Sequence, residues 1–329
     1  MSNDPRPATG FVLGKFMPPH LGHVFLCDFA RAYCRRLTIL VCSLDGDPIP
    51  GERRFGWMRT LFPDCDVQWC DEVLPQAPED HPDFWPIWRD VVARYAGRPE
   101  VVFASEDYGV RLAAETGAHF VPVDRPRCAV PVSATMIRND PFRYWAFLPA
   151  PVRPYFAKRV CLFGPESTGK STLAAQLAAR FNTVHVPEYA RAYTDAFGTS
   201  VTAEDLERIV LGQRASAAAA RPQANRIVIE DTDPLLTAVW SDMLLGSRAP
   251  ALDFVDDPAD LYLLCDIDLP WDDDGSRYFS GLADRKRFFD ACRAELERRG
   301  LPHALIQGTG KAREDAAAAA IQTAFPGLD

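Results

Sequence analysis

The chain has 329 residues, of which 47% are hydrophobic and 25% charged, and it carries a formal net charge of −9 at pH 7. That length allows two domains, each with a core of its own, and the composition is that of ordinary globular proteins. The acidic balance argues against a genomic nucleic-acid binder, which needs a basic face, although local Lys, Arg and backbone N–H groups can still meet small phosphate ligands.

Strand-like and helix-like segments alternate along the chain. Residues 11–16 and 37–42 read as strands, with a helix between them marked by Val24, Leu26, Cys27 and Ala30. Residues 101–104 and 119–123 read as further strands separated by a helical stretch. The proline-rich run at 149–154 then marks a boundary, so the expected domains are 1–150 and 151–329. Beyond it come a short apolar strand at 160–163 and a helix at 171–181 with Leu173 and Leu177 on one face. Strands follow at 184–186, 227–229 and 261–265, with helices between. The alanine clusters at 217–220 and 316–320 read as helix, because Ala is the best helix former. This alternation implies an α/β chain with two doubly wound parallel-sheet domains, whose ligands bind at the carboxyl ends of the strands.

The nine cysteines are scattered, the nearest pair being Cys65 and Cys70, and no CxxC occurs. With no charged-then-apolar leader, the expectation is reduced thiols in a cytoplasmic protein. No apolar run approaches the roughly 20 residues that a membrane-spanning helix needs.

The first motif, GKFMPPHLGH at 14–23, follows a strand and precedes a helix. His20 and His23, three residues apart at that helix N-terminus, suit a phosphate whose charge grows in a transition state. Metal binding is the rival explanation, but no Cys or carboxylate cluster completes a ligand set nearby. A pair of core histidines is the plainer alternative, and a Pro-Pro-His loop makes a poor core element. Downstream, SATMIR at 133–138 places Ser133 and Thr135 ahead of Arg138 at the start of a helix, a second anion site.

The run GPESTGKS at 164–171 fits the phosphate-loop pattern GxxxxGK[ST] at every fixed position. Gly164 and Gly169 let successive N–H groups turn inward to make a nest for phosphate oxygens. Lys170 supplies a point charge for the β- and γ-phosphates, and the Ser171 hydroxyl suits Mg2+. Gly164, Glu166, Ser167, Thr168, Gly169, Lys170, Ser171 and Thr172 are therefore assigned to ATP. Glu188 closes the second strand of this half, where a carboxylate can take the proton of a substrate hydroxyl or grip its ribose; Arg191 lies within reach of a phosphate. Asp231 and Asp233 follow the apolar strand at 227–229, with Asp231 in a position to hold Mg2+ and Asp233 assigned to the substrate. Taken singly, each of these carboxylates could be a helix cap or a surface charge.

The HxGH and SxTxxR patterns resemble the two signatures of the nucleotidylyltransferase family. Together with the phosphate-loop half, the chain resembles NadR-type bifunctional enzymes, with further likeness in FNTVHVPEYAR, EDTDPLLTA and WDDDGSR. The resemblance implies a Rossmann-like nicotinamide mononucleotide adenylyltransferase followed by a P-loop ribosylnicotinamide kinase. It implies that Gly14, Lys15, Phe16, His20, His23, Ser133, Thr135 and Arg138 attend the ATP of the first site, with His23 stabilising the transition state. In HPDFWPIW it offers Trp85 or Trp88 for the cationic pyridinium ring, a contact worth roughly 0.5–2 kcal/mol, while both could equally anchor an amphipathic helix in the core. Arg54 and Trp57 fall in the same family pattern without an assigned role. The stretch from Trp271 onward resembles a kinase lid, bringing Arg277 to the transferring phosphoryl group, with Arg285 and Arg287 on the next helix.

The expected partners are small molecules: ribosylnicotinamide, nicotinamide mononucleotide and ATP. A NAD-responsive transcriptional repressor is a rival from another class; about ten residues before the first strand leave no room for a helix-turn-helix, so no DNA partner is expected. A third reading, a nucleotide-binding partner of a ribosylnicotinamide transporter with catalysis secondary, stays open, as does assembly into a homo-oligomer.

Overall fold

The computed structural model describes residues 4–252, 256–271 and 278–328 and separates into two compact units, Met1–Val152 and Arg153–Asp329. Each unit is built on one five-stranded sheet whose paired strands are all parallel. Among the described residues, no helix is long and apolar enough to cross a membrane.

Unit 1 contains β1 (Thr9–Gly14), β2 (Arg36–Cys42), β3 (Asp66–Cys70), β4 (Val101–Ala104) and β5 (His119–Pro122). Its helices are α1 (Leu21–Tyr33), α2 (Gly51–Leu61), α3 (Phe84–Ala96), α4 (Tyr108–Thr116) and α5 (Ala134–Asn139). The sheet order is β3-β2-β1-β4-β5, with Gly14 in register with Val41 and Gly10 with Val101. The chain therefore reverses its direction of travel across the sheet beside β1, and the crevice at that reversal is where such sheets bind ligands. Both sheet faces are dry: Val12, Ile39 and Phe103 pack under one layer of helices, and Phe11, Leu40 and Val102 under the other. Each such side chain contributes roughly 1.5–3 kcal/mol by leaving water. β1 stops at Gly14, two residues short of the expected strand, because Phe16 takes a left-handed φ of 47° and folds its ring into the core.

Unit 2 contains β6 (Lys158–Phe163), β7 (His185–Val186), β8 (Ile227–Glu230), β9 (Leu261–Cys265) and β10 (His303–Ile306). Around them lie α6 (Arg153–Phe156), α7 (Lys170–Arg180), α8 (Tyr189–Phe197), α9 (Ala203–Ala220), α10 (Pro234–Leu245), α11 (Leu282–Arg298) and α12 (Gly310–Ala324). The order β10-β9-β6-β8-β7 sets β6 at the centre, so the loop leaving it opens at the point of reversal. Gly164, at φ 133°, passes so close to β9 that a Cβ there would stand 2.9 Å from the Cys265 carbonyl oxygen. Only glycine fits this exit.

Candidate active sites

In unit 1 the loops at the carboxyl ends of β1, β4 and β5 enclose a cleft of about 730 Å3. Gly14, Lys15, Phe16, His20, His23, Trp85, Trp88 and Arg138 all line it, so residues from three separated segments come together. His20 caps α1: its Nδ1 accepts the Gly22 N–H at 3.1 Å, while Nδ1 of His23 accepts the His20 N–H at 3.3 Å. With both Nδ1 atoms used as acceptors, each neutral ring carries its proton on Nε2. Burial pushes the His20 imidazole down to about 4, with the Arg127 charge adding to the effect; burial likewise lowers His23 well below its ordinary value, helped by His20 and Arg127. Two neutral N–H donors at a helix N-terminus are suited to anionic oxygens.

Arg138, on α5, donates to the Met17 carbonyl and, at 3.1 Å, to the Thr135 hydroxyl. Ser133 and Thr135 do not line the cleft. The Ser133 hydroxyl caps α5 by accepting the Met136 N–H at 3.2 Å, and Thr135 steadies Arg138. The two tryptophans share both readings offered by the sequence. Trp88 is buried, its Nε1 donating to the Pro75 carbonyl at 3.0 Å, whereas Trp85 packs edge-on against Phe84 and lies beneath the Arg111 guanidinium.

Two residues of this site were without a role in the sequence. Arg127 lines the cleft from the loop after β5, a cation that no motif marked. Arg54 is fully buried and donates to the carbonyls of Lys15, Cys42 and Ile49 and, at 2.6 Å, to the Asp47 carboxylate. It thereby fixes the loop that follows β1; Asp47 also lies 3.6 Å from the Lys15 ammonium.

In unit 2 a cleft of about 470 Å3 opens at the carboxyl ends of β6, β7 and β8. Glu166, Ser167, Thr168, Gly169, Lys170, Ser171, Thr172, Glu188, Arg191 and Asp231 line it. Gly169 (φ 77°) and Ser167 (φ 58°) take left-handed angles, which give the loop its concave shape. The Lys170 ammonium donates to the Pro165 carbonyl across the loop at 2.7 Å. Glu166 behaves differently from its neighbours: its carboxylate accepts the N–H groups of Tyr278 at 2.9 Å and Phe279 at 2.5 Å, so the side chain ties down the far wall and only its backbone belongs to the nest.

Burial raises the Glu188 carboxyl above its ordinary value, an effect offset in part by Lys170. Asp231 is 2% exposed, and its Oδ1 is buried without a hydrogen-bond partner among the described residues. Asp233 stands outside the cleft. It caps α10 by accepting the Leu235 and Leu236 N–H groups and takes a hydrogen bond from the Tyr262 hydroxyl at 2.7 Å, while burial raises its carboxyl to about 6. Of the two aspartates after β8, Asp231 lines the cleft, while Asp233, expected at the substrate, caps α10. Arg285 is buried, donating to the Leu269 carbonyl at 3.1 Å, and Arg287 is exposed beside Asp284; neither reaches the cleft. Arg277 lies outside the described residues.

The amide of Gln213 connects the two carboxylate-bearing strand ends, accepting the Tyr189 N–H at 2.8 Å and donating to the Thr232 carbonyl at 3.1 Å. Its neighbour Gly212 receives the Tyr189 ring so closely that a Cβ there would lie 2.0 Å from a ring carbon. On the opposite wall Trp240 and Tyr278 stand edge to face, with ring centroids 5.7 Å apart. A helix position gives no sign in sequence that it faces a cleft built by three other segments.

Comparison with known proteins places both units. Residues 159–313 match the model of a family described as AAA domain. The chain is 28% identical over 307 residues to the trifunctional NAD biosynthesis/regulator protein NadR of Escherichia coli (strain K12), spanning 86% of this chain and 75% of that protein. It is 29% identical over 303 residues to the protein of the same name from Salmonella typhimurium (strain LT2), spanning 85% and 74%. Its fold is that of a NadR protein crystallised with NAD and AMP-PNP, with a TM-score of 0.78 at 23% identity over 96% of each chain. A NadR protein crystallised with NR superposes with a TM-score of 0.79 at 23% identity, covering 98% of this chain and 97% of the other. The resemblance carried by the motifs thus extends along most of the chain and through both parallel-sheet units.

Proposed function

For a NadR-type chain with an anion-binding cleft in each unit, we propose a bifunctional enzyme of NAD salvage. Unit 2 transfers the γ-phosphoryl group of ATP to the 5′-hydroxyl of ribosylnicotinamide. Unit 1 then joins the phosphate of the resulting mononucleotide to the adenylyl group of a second ATP, giving NAD and pyrophosphate. The observation that carries this reading is how the groups are divided: the unit 1 cleft holds paired neutral histidines with Arg127 and Arg138, whereas the unit 2 cleft sets a phosphate loop and its Lys170 beside Glu188 and Asp231. The names of the two bacterial relatives and the NAD, AMP-PNP and NR held by the NadR structures are consistent with it.

In unit 2 the loop N–H groups and Lys170 grip the β- and γ-phosphates, and Lys170 exchanges its Pro165 carbonyl for a phosphate oxygen. Glu188 accepts the proton of the attacking hydroxyl; its raised affinity for protons suits that task. Arg191 balances the charge that develops nearby. Ser171 and the unpartnered Oδ1 of Asp231 share this cleft and fit Mg2+, which neutralises phosphate charge when bound. Trp240 and Tyr278, edge to face on one wall, give the riboside aromatic surface to pack against.

In unit 1 a phosphate oxygen of the mononucleotide attacks the α-phosphorus of ATP, and the bond to the β-phosphate oxygen breaks. No side chain forms a covalent bond, so rate comes from alignment and from charge stabilisation. His20 and His23 donate from Nε2 to the phosphate oxygens, Arg138 and Lys15 hold the departing pyrophosphate, and Trp85, the less buried of the two tryptophans lining the cleft, meets the pyridinium. The test is a product assay. Purified protein with ATP, Mg2+ and ribosylnicotinamide should yield first the mononucleotide and then NAD; release of ADP without either product would sink the reading.

A further inference from the structure

Arg313, in the first turns of α12, is only 4% exposed, yet its guanidinium reaches three separate loops. Nη1 donates to Asp268 Oδ1 at 2.8 Å and to the Gly308 carbonyl at 3.0 Å. Nη2 donates to the carbonyls of Thr168 at 3.0 Å and Asp266 at 3.2 Å. These acceptors belong to the phosphate loop and to the segments leaving β9 and β10, which exit the sheet on adjacent strands. The second oxygen of Asp268 accepts the Gly308 N–H at 2.6 Å, and Leu269 stands 3.0 Å from where a Cβ of Gly169 would lie. The three loops are locked to one another through one side chain.

A buried guanidinium is a poor way to add stability alone, since well-packed apolar groups of similar volume often serve as well. Its geometry suggests a different use. The peptide unit that begins with the Thr168 carbonyl ends with the Gly169 N–H, and in a trans peptide these two groups point in opposite directions. Drawing the carbonyl inward aims the N–H outward, into the nest that faces the phosphates.

We infer that Arg313 is a positioning residue for the triphosphate site of unit 2, setting the orientation of the Thr168–Gly169 peptide without touching the nucleotide. This inference rests on the phosphate loop binding ATP, as proposed above. Arg313→Lys keeps the charge but loses the planar fork that serves four acceptors at once, and Arg313→Met loses both.

The test is the ATP affinity of the full chain in Mg2+, measured by equilibrium dialysis and counting only the component that Lys170→Ala removes. Arg313→Met should weaken that component roughly tenfold and Arg313→Lys by less, with affinity for ribosylnicotinamide changed by no more than about twofold. Equal losses for ATP and riboside, or unchanged ATP affinity in either variant, would overturn the inference. Should Arg313→Met fail to fold, Arg313→Lys and Asp268→Asn decide the matter, because each leaves the volume of the site nearly intact while breaking part of the network. Wild-type binding of ATP through Lys170 without riboside phosphorylation would count against the kinase assignment alone.

Discussion

The rings of His20 and His23 lie with their centroids 3.8 Å apart and their planes inclined by 31°, the His20 ring accepting the Gly22 N–H and the His23 ring that of His20, the residue that caps α1. At that separation the two cannot both be charged cheaply, and burial lowers both.

The stability of unit 1 should therefore depend on acid. His20 titrates near 6.5 in the unfolded chain and about 4 in the folded one, so between those values only the unfolded chain takes up the proton. The stability associated with the neutral ring is complete above about pH 6.5 and is lost as the pH falls towards 4, by about 3 kcal/mol for this histidine alone. Denaturant titrations at several pH values should show the loss, and His20→Gln should reduce it. An NMR midpoint for His20 near its ordinary value would refute the account.

The two activities should separate by mutation. Lys170→Ala should abolish riboside phosphorylation and spare adenylyl transfer, because the phosphate loop serves unit 2 alone. His23→Ala should do the reverse, with a loss of roughly 10²–10³-fold. A single substitution that stopped both reactions in a folded protein would argue against two sites.

Riboside phosphorylation should also carry an acid limb set by Glu188. Because burial raises this carboxyl, kcat/KM should fall with decreasing pH from a point above the ordinary carboxylate range. Glu188→Gln should lower the rate and remove that limb. An acid limb of the same position in the Gln variant would assign it to another group.

The neighbouring aspartates should respond in opposite ways. Asp231→Asn removes a buried carboxylate whose Oδ1 lacks a hydrogen-bond partner among the described residues, so it should depress Mg2+-dependent turnover without lowering the melting temperature. Asp233→Ala removes the cap of α10 and leaves the Tyr262 hydroxyl without its acceptor, and should cost about 2 kcal/mol or more. Its KM for the riboside should change little. Steady-state kinetics with differential scanning calorimetry on both variants distinguishes the two roles.

The phosphate loop and the histidine pair were legible in sequence because both chemistries depend on local spacing: one turn of chain presents the whole motif. The parallel sheets were legible for a similar reason, since strands buried on both faces read as continuous apolar runs, as in Val101–Ala104. β3 and β10 carry no such run, being short and partly polar. Asp231 and Asp233 were both read into the site from sequence, with Asp231 for Mg2+ and Asp233 for the substrate, whereas Asp231 lines the cleft and Asp233 caps α10. Arg54 fell in the family pattern without a role, and Arg127, Gln213 and Arg313 gave no signal of their own, because their partners are supplied by other segments of the fold.

Gly212 bears on any effort to make this protein more robust. Replacing glycine by alanine within a helix is a routine stabilising step, worth about 1 kcal/mol where the site is open. In α9 the added methyl would occupy the space of the Tyr189 ring, only 2.0 Å from its nearest carbon. Tyr189 directly follows Glu188, and its N–H is held by Gln213. The ring would have to move to admit the methyl, so an engineer who ranks positions by helix propensity would choose this one and disturb the packing next to the base.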